Sequence, residues 1–260
     1  MIREMSVSGL FYPDESDEIQ RYFEHFNKIY DAKLSLPDIK SKAVIVPHAG
    51  YVYSGFTANI AYKILKNSDI ENFIVIGPSH KVGFRGISLC EDEGYDTPFG
   101  EIQNAQEIVN ELKQMFNLKT LITHAEHSTE VQFPFIKYYL PHAKIVELIY
   151  GDAEPEVISE IIDFVLNQKN CGVIISTDLS HFYNLEDANK LDNICLNAIS
   201  SLDTDMLDNG CEACGKLGVK AMLMSAKKLN LTPHLLDYRT SADASHDNAK
   251  VVGYVSACFS

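Results

Sequence analysis

Three histidines stand just beyond short apolar runs. His48 follows Val44-Ile45-Val46-Pro47, His80 follows Phe73-Ile74-Val75-Ile76-Gly77-Pro78-Ser79, and His181 follows Val173-Ile174-Ile175-Ser176-Thr177-Asp178-Leu179-Ser180. Imidazole binds iron, copper and zinc well, and sites with two histidines and one carboxylate leave coordination positions open to substrate or oxygen. If the three runs are strands of one sheet, their histidines are delivered to the same crevice outside the strand ends. The pattern predicts a transition-metal site with ligands among His48, His80 and His181. The turns that carry the first two contain proline, whose fixed φ stiffens the backbone presenting each ring.

Further polar groups cluster with these. Asp178 precedes His181 by three residues and can orient an imidazole or raise its basicity, which makes His181 a candidate proton donor or acceptor and Asp178 its catalytic partner. Asp178 also fits a helix N-cap. The stretch His124-Ala125-Glu126-His127-Ser128-Thr129-Glu130 reads as a loop, with Glu126 and His127 either bonding to the back of metal ligands or forming a solvated turn. Cys211-Glu212-Ala213-Cys214 has CxxC spacing without a second ligand pair, so it reads as two thiols packed at a helix start, with Cys214 a candidate redox-active neighbour of the site.

The elements that must position these groups follow from periodicity. A helix is expected around residues 19–30, a strand over 42–46, a helix over 55–66 and a strand over 72–76, forming a parallel βαβ unit. A hairpin or an excursion from the sheet is expected over 86–100, then a helix over 105–116, a strand over 144–150, a helix over 155–166 and a strand over 172–176. Helices over 186–200 and 216–229 precede strands over 234–240 and 251–258. Proline and glycine are dispersed and no repeat divides the chain, so residues 1–260 are expected to form a single domain. Its fold class is α/β, a three-layer α/β/α arrangement around a mixed, largely parallel sheet.

Composition narrows the function. The 36 acidic residues outnumber the 22 basic ones, for a formal charge of -14, which disfavours nucleic acid and anionic membranes as partners. No apolar run approaches the 18 to 20 residues of a membrane span, and the start lacks a signal-peptide pattern, so a cytoplasmic protein is expected. The six cysteines form no compact disulfide pattern, which fits a reducing compartment.

Several segments taken together, Ser8-Gly9-Leu10-Phe11-Tyr12-Pro13, Pro47-His48-Ala49-Gly50-Tyr51-Val52-Tyr53-Ser54-Gly55, Gly77-Pro78-Ser79-His80, Glu126-His127-Ser128-Thr129-Glu130-Val131-Gln132, Thr177-Asp178-Leu179-Ser180-His181 and Val252-Gly253-Tyr254, resemble the Memo family. The resemblance runs from near the N-terminus to the last strand. It implies a fold like that of class III extradiol dioxygenases and a non-haem iron site with His48 and His80 as ligands and His181 as acid or base. It further implies copper or iron binding, a redox activity proposed for eukaryotic members, and binding of phosphotyrosine peptides from receptor tails. Some members carry a further cysteine ligand in the last quarter of the chain, a position matched here to Ala244, which cannot ligate. Asp243 is the expected substitute, completing a two-histidine, one-carboxylate set.

Three functions fit these readings. One is an oxygenase or redox metalloenzyme using Fe(II) or copper on an unknown substrate. Another is a catalytically silent binding or scaffold protein whose cleft takes a peptide or small molecule. The third is a hydrolase in which zinc activates water.

Overall fold

The computed structural model describes residues 1–33 and 37–260. Its strands are β1 (Ile2–Arg3), β2 (Ala43–Val46), β3 (Asn72–Pro78), β4 (Ile87–Leu89), β5 (Gly94–Tyr95), β6 (Ile102–Gln103), β7 (Lys144–Tyr150), β8 (Cys171–Ser176), β9 (His181–Tyr183), β10 (Pro233–Thr240) and β11 (Val251–Phe259). Its helices are α1 (Ser16–Lys33), α2 (Tyr51–Leu65), α3 (Gln106–Phe116), α4 (His127–Glu130), α5 (Phe133–Tyr139), α6 (Pro155–Leu166), α7 (Leu185–Ser201), α8 (Thr204–Asp208), α9 (Lys216–Lys228) and α10 (Ala242–Ser245).

The main sheet runs β10-β11-β2-β8-β3-β7-β4, with β9 paired to β11. Its centre, β2-β8-β3-β7, is parallel, and antiparallel strands flank it on both sides. The central strands are buried on both faces, which is why they read as unbroken apolar runs. Alternate residues serve different cores. Ala43 and Ile45 face one packed against α3, α6, α7 and α9, while Val44 and Val46 face another built with α1, α2 and α5. The expected mixed sheet between two helical layers is therefore the observed one. Because β2, β3 and β8 are parallel, Pro47-His48, Ser79-His80 and Thr177-Asp178 all emerge at the same edge.

Three local expectations are corrected. The loop expected over residues 124–130 contains α4 and leads into α5, which begins at Phe133 with Pro134 in its first turn, where a missing amide hydrogen costs nothing. No helix begins at Asp178: the chain continues into β9, and the Asp178 carboxylate accepts from the His48 amide instead. Helix α2 starts at Tyr51, four residues earlier than periodicity suggests, because Tyr51 and Ser54 are buried and belong to the packed face. Among the described residues no helix is long and apolar enough to cross a membrane.

Candidate metal centre

At the carboxyl edge of the parallel strands, His48 Nε2 lies 3.3 Å from His80 Nε2 and 3.3 Å from Cys214 Sγ. The donor atoms of these three residues all lie within 4.8 Å of one another. A tetrahedral ion bound at about 2.0–2.1 Å to nitrogen and about 2.3 Å to sulfur sets its ligand atoms roughly 3.3–3.6 Å apart. The spacing fits such an ion, and two imidazoles with a thiol suit copper, iron or zinc.

Each donor is held from behind. Ser176 Oγ, at the end of β8, is 2.9 Å from His48 Nδ1, and Gln132 donates to Ser176 Oγ and to the Pro47 carbonyl while accepting from Tyr62. A proton on His48 Nδ1, donated to Ser176, leaves the Nε2 lone pair facing the centre. Glu126 Oε1 accepts from the amides of His80 at 2.9 Å and Lys81 at 2.6 Å and from Ser79 Oγ at 3.0 Å. Ser128 donates to the Pro78 carbonyl. Cys214 donates its amide to the Asp178 carbonyl, and the Asp178 amide in turn donates to Cys214 Sγ.

Burial governs the charges. It lowers the His48 pKa well below the ordinary histidine value, with His80 and His181 adding like-charge repulsion, and it lowers that of His80 also. Both rings are therefore neutral at neutral pH, the form that ligates metal. Burial and the Asp178 charge push the Cys214 thiol up to about 12, so binding a cation there must displace a proton. Burial raises Asp178 to about 6 against the pull of the His48 amide and of His181.

The other expected residues fall into distinct places. His181 acts electrostatically on His48, His80 and Asp178 but is not one of the mutually close donors. His127 stacks on His80 with centroids 4.9 Å apart and meets His48 edge-on at 5.4 Å, and Phe11 stacks on its other side. Asp243 does not join them. Its carboxylate accepts from the Thr240 amide at the start of α10, and the group of mutually close donor atoms around His48 and His80 contains Cys214 instead. The CxxC pair also divides, since Cys211 is disulfide-bonded to Cys195 of α7 while Cys214 faces the histidines. The reading of Cys211 and Cys214 as two packed thiols is thus corrected at Cys211.

Sequence reading missed the N-terminal segment. Glu130 accepts from Arg3, the Ser6 and Val7 amides, Ser6 Oγ and Tyr12, which ties residues 3–12 down and lays Phe11 over His127. The carboxylate of Glu130 is fully buried, and the Ser8–Pro13 and Glu126–Gln132 motifs that it joins were read separately.

A second cluster, Cys90, His124 and Glu147, also has donor atoms within 4.8 Å of one another. Its lone pairs already meet hydrogens or a cation. Glu147 is paired with Arg3 and accepts from Thr129 and from His124 Nδ1. Ser88 Oγ accepts the Leu121 and Ile122 amides, so its own hydrogen goes to His124 Nε2. This assignment leaves His124 no lone pair for a metal.

The family description "Memo-like protein" matches residues 3–258. A MEMO1 family protein of Methanobrevibacter smithii is 34% identical, covering 100% of both chains. One of Aquifex aeolicus is 32% identical over 99% of each, and one of Thermoplasma volcanium is 32% identical over 98% of this chain and 97% of its own.

Proposed function

The chain belongs to the Memo family, and from that premise we propose that it is a transition-metal protein of redox or oxygenase type, with His48, His80 and Cys214 as ligands. The observation that carries this reading is the pair of 3.3 Å approaches that set two neutral imidazole nitrogens and a thiol against one another. Unmetallated, the His48 Nε2 lone pair has only a ring nitrogen of His80 and the Cys214 thiol as neighbours, and a cation would take the place of the hydrogen shared among them. The thiol makes copper the preferred ion, with iron next and zinc a non-redox alternative. When bound, copper or iron supplies electron transfer or oxygen chemistry to an unidentified substrate.

The chain's own groups then divide the remaining work. His181, beside Asp178, donates or accepts the proton at the substrate; Asp178 holds the His48 amide and supplies the charge that balances His181. Phe11 and His127 wall one side of the cleft and exclude water. Anaerobic loading with Cu(I), Fe(II) or Zn(II), followed by elemental analysis and oxygen-uptake assays, tests the reading. One redox ion per chain in the wild type, absent from a His48→Ala, His80→Ala variant, is expected; equal metal content in both refutes it.

A binding role is favoured by a different observation. Val52 and Tyr53 in the first turn of α2, Phe182 in β9, and Leu10 are exposed large apolar side chains close in sequence to these residues. Phe182 is the extra residue of a bulge between β9 and β11 and holds a φ of 66°, a strained conformation for an aromatic residue. A small-molecule or peptide ligand resting on this rim is part of the proposal, as is a cytoplasmic location. Loss of ligand capture on Phe182→Ser with metal content unchanged supports the rim; unchanged capture removes it.

A further inference from the structure

The disulfide between Cys195 and Cys211 is buried and joins α7 to the irregular segment that carries Cys214 between α8 and α9. The downstream end of that segment is firmly held. The Cys214 amide donates to the Asp178 carbonyl at 3.1 Å, and the Gly215 amide donates to Thr177 Oγ1 at 2.9 Å. A Cβ at Gly215 would lie 2.6 Å from Thr177 Cβ, so the chain passes as close to β8 as glycine permits. Upstream the situation differs. Among the described residues the amides of residues 210–213 donate to no main-chain acceptor, and Gly210 turns through a φ of +118°. On this side the segment is held by the covalent bond at Cys211, three residues before the donor sulfur, and by the packing of Ala213 in the core.

We propose that the Cys195–Cys211 disulfide positions the Cys214 sulfur, and that its reduction loosens the third donor of the metal centre. The proposal rests on the reading that His48, His80 and Cys214 hold the ion. A dithiol reductant supplies two electrons and two protons, leaves as its own disulfide, and converts Cys195 and Cys211 to two thiols. The freed segment then samples conformations in which Cys214 is withdrawn. Affinity falls by the fraction of time the donor is in place. The expected loss is on the order of 10–100-fold, the range seen when a partner that orients a ligand is removed. His48 and His80 are untouched, so the centre passes from a three-donor site to a two-histidine site. This couples metal retention to the thiol status of the surroundings. Both sulfurs are buried, so a protein reductant reaches them only through local opening of the segment.

Cobalt(II) is the probe, because a thiolate ligand gives it a near-ultraviolet charge-transfer band that histidine alone does not. Protein purified without reductant is titrated with Co(II) alongside phosphine-reduced protein freed of phosphine under argon, and alongside a Cys195→Ser, Cys211→Ser variant. The expected result is a strong band and tight binding in the oxidised protein. The reduced protein and the double variant should bind about 10–100-fold more weakly with a diminished band, and reoxidation of the reduced wild type should restore both. Equal affinity and band intensity in all three overturns the proposal, as does alkylation and mass spectrometry that finds Cys195 and Cys211 free in protein purified without reductant. If the double variant does not fold, the reduction and reoxidation cycle of the wild type decides. Cys214→Ser separates this proposal from the one beneath it: if that variant changes neither band nor affinity, the metal reading fails and the tether with it, whereas if it abolishes the band while reduction does nothing, only the tether fails.

Discussion

His48 and His80 beyond the ends of β2 and β3 with Cys214 between α8 and α9, and Cys90, His124 and Glu147 around β7, are built from nearly the same residue types at nearly the same separations. In the second cluster Thr129 donates to Glu147 and Ser88 to His124, the His124 proton is turned toward Glu147, and Arg3 faces the carboxylate as its counter-ion. In the first, ring nitrogens face a ring nitrogen and a sulfur, and the supporting groups Ser176 and Glu126 act from behind. Residue type and burial thus do not separate a ligand set from a structural network. What separates them is whether the donor atoms meet outside partners, as in the second cluster, or chiefly one another, as in the first.

The contrast breaks most visibly in stability. Arg3 lowers the Glu147 pKa to about 2 despite complete burial, with His124 and Thr129 assisting. Removing this partner leaves a buried guanidinium short of a counter-charge, so Glu147→Ala should destabilise by roughly 3–5 kcal/mol in denaturant titrations. His48→Asn, which removes a neutral ring and strands no ion, should cost less than Glu147→Ala, about 1–3 kcal/mol. The pH dependence has a definite sign. The folded pKa of Glu147 lies below its unfolded value, so its contribution is complete above about pH 4.5 and is lost as pH falls toward about 2. Wild-type stability should therefore drop more steeply than that of Glu147→Gln across that window, by up to about 1.4 kcal/mol per pH unit. Parallel slopes would show that Glu147 is not held ionised by Arg3.

Metal affinity should divide the clusters the other way. His80→Ala should weaken Co(II) or Cu(I) binding by more than about 100-fold, beyond the range of outer partners. His124→Gln should leave both affinity and a stoichiometry of one ion per chain unchanged. Calorimetric titration that finds two ions in the wild type, and one after Cys90→Ala, would overturn the distinction.

How much of this was legible in the sequence depends on the range of the interactions. The strands, the layers and the placing of His48, His80 and Asp178 at one edge follow from local apolar runs and parallel pairing, and those were read correctly. Cys214 was taken for a neighbour and Asp243 for a ligand because the choice between them depends on how the segment after α8 returns to β8, a long-range path with no periodic signal. The motif from Glu126 to Glu130 defeated local reading for the same reason. Its residues bond to His80, Pro78, Glu147 and the N-terminal segment, all distant in sequence, so a run of polar residues that resembles a solvated turn is buried from Ser128 to Glu130.

The smallest effect is the most discriminating about how the open cluster is supported. Glu126 holds the His80 and Lys81 amides and Ser79 through one oxygen, while its other oxygen has no hydrogen-bond partner and lies 3.9 Å from His127 Nδ1. Glu126→Gln keeps an acceptor where the amides need one, so metal affinity should change by less than about threefold. Glu126→Ala strands both amides and frees the turn that aims His80, and should cost about 10-fold or more. If the two variants weaken binding equally, the carboxylate's charge and not its grip on the His80 backbone supports the centre, and the open cluster resembles the closed one in depending on a buried ion.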